Sequence, residues 1–319
     1  MQTKLLSWFL LLGLTVVLGG KVFAQGAVPA AASAQPAGRI VVARVRGEVT
    51  ATDKVTNAVT KLADKKEVAQ GALVTTGKDS SVVLIFSNGA TISLGADALL
   101  DIEEFTQQPF KDDFSPADAT AEPSTSTTKL KLARGELVGK VAKLKKEQGS
   151  TFTVGTPVGA AGIRGTTFRI VYHPDGQGKA FFSMTTLEGN VEVTLATGTV
   201  STPVSVTNNK EVVLADVTVE VNSTTGQVTV TTPAGTTVVA TDASAKSTQQ
   251  IVAAAQQISE AVAAVVIKST PPAADNPPAQ EPKKEEPKKE EPKKEDPTTT
   301  VPGISTSNSR TTSGDGATN

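Results

Sequence analysis

From Arg39 onward, the sequence is a close succession of short apolar runs separated by glycine, asparagine and aspartate. Turn residues recur at a spacing of roughly 8 to 12 residues, which is typical of an all-β sandwich, barrel or short solenoid. The composition agrees, because 44 threonines and 38 valines make up about a quarter of the 319 residues. β-Branched side chains lose rotamer freedom in helices and pack well on pleated sheets. The sequence therefore predicts an all-β core.

The clearest hairpin lies between Ser81 and Leu94, where the apolar runs SVVLIF and ATISL flank Ser87-Asn88-Gly89. An Asn-Gly pair readily supplies the two positive φ angles of a type I′ turn. We therefore expect a type I′ turn at this position.

The residues needed for most catalytic sites are missing. Cysteine is absent, which excludes disulfides, thiol nucleophiles and cysteine metal sites. The single histidine, His173, stands beside Pro174 and Asp175 without the partners that a catalytic triad or a histidine metal site requires. We therefore expect no enzyme, no metal site and no cofactor. Carboxylate catalysis through Glu103 and Glu104 is the remaining enzymatic hypothesis, but neighbouring residues of a strand point to opposite faces.

Charge is balanced over the whole chain but not locally. The formal net charge is −1 and the pI is near 6.0, so no nucleic-acid partner is predicted. Residues 97–122 hold eight acids and one base, whereas residues 129–147 hold seven bases and two acids. We expect both runs to be solvated faces that attract each other, and a functional charged patch is the alternative. Residues 106–128 contain three prolines and are predicted to be a long connecting loop.

The first residues have the features of an export signal. Lys4 precedes an apolar run of 14 residues from Leu5 to Leu18, and a small-residue cleavage site ends at Ala24. Because a membrane-spanning helix needs roughly 20 apolar residues, we expect cleavage before Gln25 rather than a retained anchor. The mature protein would then lack a stable membrane span and would be periplasmic or extracellular.

One helix is predicted from Ser247 to Lys268. Its apolar side chains recur at helical spacing, at Ile251, Ala255, Ile258, Val262 and Val265. Ser247 and Gln250 have the spacing of a capping box. We expect this stripe to pack on the β domain, and pairing with a partner helix is the alternative.

Beyond the helix, residues 281–296 repeat EPKKE three times. Proline at every fifth position forbids a continuous helix and favours polyproline II, which would make a spacer roughly 50 Å long. A tail that binds the cell wall or a partner is the alternative. The predicted organisation is a signal peptide over residues 1–24, an Ala/Pro-rich linker over 25–38, a β domain over 39–195, additional strands over 196–243, a helix over 244–268 and a disordered tail over 269–319.

The most informative stretch spans residues 151–193. It contains F-x-V-x-T-P from Phe152, G-I-R-G-T-x-F from Gly162 and E-G-x-V-x-V from Glu188, in that order. This combination resembles the periplasmic domain of the FecR family, the ferric-citrate regulator group. Residues 71–94, GALVTTGKDSSVVLIFSNGATISL, resemble another part of that domain, so the resemblance covers about residues 45–193. The residues predicted to form the structural motif are Thr156, Pro157, Gly162, Arg164, Gly165, Thr166, Glu188 and Gly189.

The resemblance implies a FecR-like β-rich domain, built as a short β-solenoid or roll or as a sandwich, with a non-enzymatic role. Typical members are anti-sigma factors with a cytoplasmic domain before one transmembrane helix, whereas only Met1 to Lys4 precede the apolar run here. We therefore expect no segment that holds a sigma factor. By analogy, the partner would be an envelope protein.

Two functions are compatible with these features. The first is an exported, non-enzymatic module that binds a protein in envelope sensing or acts as a scaffold. The alternative is a secreted structural or surface-matrix protein in which the charged tail spaces the β domain from its attachment site.

Arg164 lies between glycines, where the backbone can carry its side chain inward. Its planar guanidinium suits bidentate pairing with a carboxylate. We expect a structural role, in a buried ion pair with Glu188, Glu48 or Glu136, and contact with a ligand or partner is the alternative. Glu48 and Glu136 belong to the segments RGEV (46–49) and RGEL (134–137), which together with EGNV (188–191) form a weak internal echo. The echo is interpreted either as recurring strand starts or as coincidence.

Overall fold

The computed structural model of the chain describes residues 35–196, 202–222, 224–225, 228–234 and 236–269. The predicted signal peptide, most of the predicted linker and the EPKKE repeat lie outside the described residues. In chain order the strands are β1 (Ile40–Arg46), β2 (Val49–Asp53), β3 (Val59–Lys61), β4 (Glu67–Val68), β5 (Ala72–Thr76), β6 (Ser81–Phe86), β7 (Thr91–Leu94), β8 (Leu99–Gln107), β9 (Ser126–Lys140), β10 (Thr151–Thr156), β11 (Gly159–Ile163), β12 (Thr167–Pro174), β13 (Lys179–Glu188), β14 (Val191–Leu195), β15 (Thr202–Val206), β16 (Lys210–Val221), β17 (Val228–Thr231) and β18 (Thr241–Asp242). One helix, α1 (Ala245–Val262), follows them.

The strands form two sheets that share β9. The first sheet has the order β3, β2, β5, β8, β9, β10, β11, β14, β15. The second has the order β4, β1, β6, β7, β9, β12, β13, β16, with β17 and β18 paired to different parts of β16. Neighbouring named strands are antiparallel except β9 and β10, which are parallel. The all-β prediction with one helix is confirmed.

β9 passes from one sheet to the other at Gly135. Residues up to Arg134 pair with β8 in the first sheet, and residues from Gly135 pair with β12 in the second. Gly135 has φ +101°, and a Cβ there would lie 2.5 Å from Cα of Ala98. Only glycine combines the left-handed backbone with so close an approach, so this residue permits the crossing.

The internal echo marks places where the chain changes sheets. Gly47 lies between β1 of the second sheet and β2 of the first, and Gly189 lies between β13 of the second and β14 of the first. Both have positive φ, as Gly135 does. The interpretation as strand starts is right at Val49 and Val191, whereas Leu137 lies within β9.

Alternate residues of both sheets face a common core. Phenylalanines form its centre. The rings of Phe86 and Phe105 pack edge to face with their centroids 5.1 Å apart, and the ring centroid of Phe152 lies 6.4 Å from that of Phe86. All three side chains are buried. Burial of such a side chain contributes roughly 1.5–3 kcal/mol, so this contact between distant strands stabilises the two-sheet arrangement.

The hairpin from Ser81 to Leu94 forms as β6 and β7, but its turn differs from the prediction. The N–H of Gly89 donates to the carbonyl of Phe86, and the N–H of Phe86 donates to the carbonyl of Ala90. Gly89 has φ +88°, whereas Asn88 keeps a negative φ. The type I′ prediction is wrong because Asn88 is buried, and its amide donates to the hydroxyls of Ser126 and Thr128 in β9.

Helix α1 packs on the outer face of the second sheet, as expected. Ile251, Ile258 and Val262 are buried in a cluster with Val83, Ile85 and Val138 of that sheet. The N-cap is Ser244, whose hydroxyl accepts the N–H of Ser247. The capping prediction at Ser247 is wrong by three residues, and the helix ends at Val262 rather than Lys268.

The segment after the helix is held by the loop that precedes β9. Phe114 and Ile267 exchange backbone hydrogen bonds of 3.1 and 2.9 Å. The Asp113 carboxylate accepts hydrogen bonds from Nζ of Lys268 at 2.8 Å and from the N–H of Ser269 at 2.6 Å. The hydrogen bond from Lys268, followed by that from Ser269, lowers the pKa of Asp113 below its ordinary value. The long connecting loop is therefore part of the packed structure.

Candidate functional site

The first part of the predicted motif forms the tight β10–β11 hairpin. The Thr156 hydroxyl donates to the carbonyl of Gly159 at 3.1 Å and accepts the N–H of Val158 at 3.3 Å. Pro157 occupies the turn between these groups, where its fixed φ suits a reversal. Gly162 lies in β11, between Thr153 of β10 and the β14 strand. These residues shape the hairpin.

The second and third parts of the motif meet where β11 and β13 leave their sheets. A Cβ at Gly189 would lie 2.5 Å from Cγ2 of Thr166 and 2.8 Å from the carbonyl oxygen of Gly165. Thr166 is buried, whereas Glu188 is exposed at the end of β13. The structure thus brings Gly189 into direct contact with Gly165 and Thr166, from which it is distant in sequence.

Arg164 is exposed, and the expectation of a buried ion pair is wrong. Its guanidinium lies 3.2 Å from the carboxylate of Glu192, and the two side chains are 47% and 48% exposed. β11 pairs with β14, which places Glu192 beside Arg164 on the outer face of the first sheet. The predicted partners Glu188, Glu48 and Glu136 are therefore not used.

The buried arginine of this domain is Arg169. Its Nε and Nη2 donate to the two carboxylate oxygens of Glu136 at 2.8 and 2.9 Å. The Arg169 side chain is 9% exposed and that of Glu136 is 28% exposed. Sequence reasoning missed Arg169, although a lone charge within the apolar run FRIVY was an available signal.

The buried carboxylate of Glu211 accepts a hydrogen bond from the start of helix α1. Glu211 is 6% exposed, and it accepts the Thr185 hydroxyl at 3.3 Å and the Ser244 N–H at 3.0 Å. In the second sheet, Thr185 lies opposite both Arg169 and Glu211. A negative charge at a helix N-terminus is stabilising. This polar row therefore anchors α1 on the sheet.

A cleft of about 420 Å³ opens beside this polar row. His173, Phe181, Val213 and Lys246 are among the residues that line it. Phe181 is 39% exposed and Val213 is 45% exposed. Part of the outer face of the second sheet is thus accessible next to the helix.

A second surface, which we call the basic cleft, lies beside Arg164. It has a volume of about 600 Å³. Its lining consists of Ala121, Lys143, Leu144, Lys145, Lys146, Glu147, Gln148 and Arg164. A Cβ built on Gly165 would lie 3.2 Å from Cα of Lys143, so the predicted motif contacts the loop that carries the lysines.

The catalytic alternative at Glu103 and Glu104 has a different geometry from the one expected. A bulge in β8 breaks the alternation there, and both residues are partly exposed. Glu103 pairs with Nζ of Lys129 at 2.9 Å, and Glu104 also interacts electrostatically with that ammonium. Their expected placement on opposite faces is wrong.

Two further observations concern the residues that the structure describes. They contain no helix long and apolar enough to cross a bilayer. No group of three or more histidine, aspartate or glutamate side chains among them is arranged to hold a metal ion.

Residues 72–200 match the family model described as FecR protein. Among solved structures, two crystal structures of a candidate anti-sigma factor from Parabacteroides distasonis ATCC 8503 are similar to this chain, each with 12% identity and a TM-score of 0.35 over 56% of it. The matches span 64% and 63% of those chains, less than two thirds of their length. No curated protein matches the sequence significantly. The match to the family model confirms the resemblance to the FecR family over residues 72–200, which begin at β5 and include β14.

Proposed function

We propose that the chain is an exported, non-enzymatic module that binds a protein partner in envelope sensing. The observation that carries this proposal is the match of residues 72–200 to the FecR family. That family is associated with regulation in the envelope. The matched segment includes six of the nine named strands of the first sheet and five of the ten of the second, so it contributes to both sheets.

The geometry supports a binding role. A continuous core holds both sheets, and Glu211, which accepts the N–H of Ser244, fixes the start of the helix on one of them. Clefts therefore open on a scaffold whose backbone is already ordered, which lowers the entropic cost of binding. Exposed Phe181 and Val213 add apolar area at one of these clefts.

The proposal is tested in the native cell with the full chain. A photo-crosslinking amino acid at Phe181 or Val213 should trap one discrete envelope protein, which is then purified and titrated against this protein. We expect saturable binding with a dissociation constant in the micromolar range or below, the range of specific interfaces. Recovery of the protein in the medium or a surface layer, with no discrete cross-linked partner, would instead support the secreted structural alternative.

A further inference from the structure

We propose that the basic cleft docks an acidic peptide segment of a partner protein. The inference rests on the proposed function and names the chemistry of the partner at one surface. That surface lies beside the predicted motif, because Arg164 contributes to its lining.

The acidic run, residues 97–122, does not neutralise this surface. Asp101 pairs with Lys54 at 2.6 Å, and Glu103 pairs with Lys129 at 2.9 Å. Asp113 is likewise bound to the segment after helix α1. Among the residues that the structure describes, the one ion pair between the two charge runs therefore joins Glu103 to Lys129.

The Glu122 carboxylate, which contacts the loop between β9 and β10 that carries the lysines, is also occupied. Glu122 is 2% exposed, and its two oxygens accept the N–H of Lys145 at 2.5 Å and the hydroxyl of Ser126 at 2.7 Å. Nζ of Lys145 donates to the carbonyl of Pro123. Within the described part of the chain, no ion pair reaches Lys143 or Lys146. Their ammonium groups remain exposed.

The lining of the basic cleft carries an excess of positive charge. Four cations line the cleft, and Glu147 is the one carboxylate among its lining residues. Arg164 shares its charge with Glu192, but about half of each side chain stays accessible. The whole chain carries a net charge of −1, so this local excess of positive charge is not a consequence of a basic composition. Carboxylates entering the cleft would relieve the repulsion among its cations.

The loop that carries the lysines is preorganised. The N–H of Lys143 donates to the carbonyl of Thr120 at 3.0 Å, and the carbonyl of Lys143 accepts the N–H of Glu122 at 3.1 Å. The carbonyl of Lys145 accepts the N–H of Ser150 at 3.2 Å. These bonds hold the backbone on both sides of the lysines, so a ligand would not have to order the loop.

The lining of the cleft favours a peptide over a dense polyanion. Ala121 and the lysine methylenes supply carbon surface between the charges of this cleft of about 600 Å³. The phosphates of a nucleic acid recur at every nucleotide and would be repelled by Glu147. A peptide can place carboxylates at Lys143 and Lys146 and a neutral residue at Glu147.

The test is a charge reversal with a matched control, made in the full mature chain. Lys143→Glu/Lys146→Glu removes two cleft cations, and Lys61→Glu/Lys66→Glu removes two exposed lysines near β3 and β4. The two double variants change net charge equally. The probe is a fluorescent twelve-residue peptide of alternating glutamate and glycine, and its glutamine counterpart is the uncharged reference. Anisotropy titrations at low and physiological ionic strength measure binding.

We expect the cleft variant to weaken binding of the glutamate peptide by about tenfold or more, because surface ion pairs are replaced by repulsions. The control variant should stay within about twofold of the unmodified protein, and added salt should weaken the interaction. Unchanged thermal midpoints establish that both variants are folded.

Equal weakening by both variants would overturn the inference, because bulk charge would then explain binding. Equal affinity for the glutamine peptide would also overturn it, as would tighter binding of a single-stranded oligonucleotide or inorganic phosphate at the same residues. If the cross-linked partner persists in the Lys143→Glu/Lys146→Glu variant, this inference fails while the proposed function stands. If the unmodified protein has no partner in the cell, the proposed function fails whatever the peptide titration shows.

Discussion

Replacing Arg169 with alanine tests whether the buried ion pair with Glu136 contributes more to stability than the exposed pair of Arg164 and Glu192. The substitution leaves the Glu136 carboxylate without the two guanidinium hydrogen bonds of 2.8 and 2.9 Å. Breaking a buried pair by removing one partner typically costs about 3–5 kcal/mol. Because Glu136 is 28% exposed and gains some hydration, we expect about 2–3 kcal/mol of lost stability here.

That loss can be measured as a change in Tm. For domains of roughly 150–250 residues, 1 kcal/mol corresponds to about 2–4 °C, so Arg169→Ala should lower Tm by about 4–12 °C. Arg169→Lys should recover part of this loss, because an ammonium lacks the planar fork that reaches both carboxylate oxygens. Differential scanning calorimetry and chemical denaturation should give the same order of stabilities.

Arg164→Ala is the matched control. Its pair with Glu192 is about half exposed, and such pairs contribute at most about 1 kcal/mol. Its Tm should therefore fall by no more than about 4 °C. A larger loss for Arg164→Ala than for Arg169→Ala, or an unchanged Tm for Arg169→Ala, would refute the assignment of the structural role to Arg169.

Gly135→Ala should destabilise the protein by more than about 3 kcal/mol, because the strain of a positive φ adds to overlap with Ala98, just before β8. Gly149→Ala, with open space around it, should cost only the strain of about 1–2 kcal/mol. Denaturant unfolding compares the two variants, and equal losses of stability would contradict the role of Gly135 in the crossing between sheets. The pKa of Asp113 is lowered from its ordinary value of 3.8, mainly by the hydrogen bond from Lys268. The contact therefore stabilises the segment after the helix at pH values above 3.8, and this stabilisation is lost as the pH falls through the lower pKa of the folded state. Asp113→Asn should accordingly speed trypsin cleavage after Lys268 at neutral pH, and an unchanged rate would argue against this anchor. Intact mass of the native protein should place its N-terminus at Gln25, whereas a retained Met1 in membranes would support an anchor.

Local sequence patterns were sufficient for the fold class. The β-branched content and the regular turn residues predicted strands, and the hairpin from Ser81 to Leu94 lies where the pattern placed it. The stripe containing Ile251 and Ile258 predicted both the helix and its packing on the β domain. These features depend on periodicity within a few residues, which a single sequence displays directly.

Local details failed where a tertiary contact intervened. Asn88 was expected to set the turn type, but its amide bonds to β9 and its φ stays negative. Glu103 and Glu104 were expected on opposite faces, but a bulge in β8 turns both outward near Lys129. Such effects arise from contacts with residues far along the chain, and the local preference of a residue for a turn or a strand does not include these contacts.

The burial of the arginines could not be predicted from the sequence pattern. The residue pattern alone predicts that the chain forms β-strands, where it turns, and that glycine recurs before several strands. The folded structure adds that those glycines carry the chain between two sheets, that Arg164 faces solvent and that Arg169 is buried against Glu136. The cause is that alternation along a strand indicates which residues share a face. Which strands become neighbours depends on core packing between segments far apart in sequence, and that choice places each charge inside or outside.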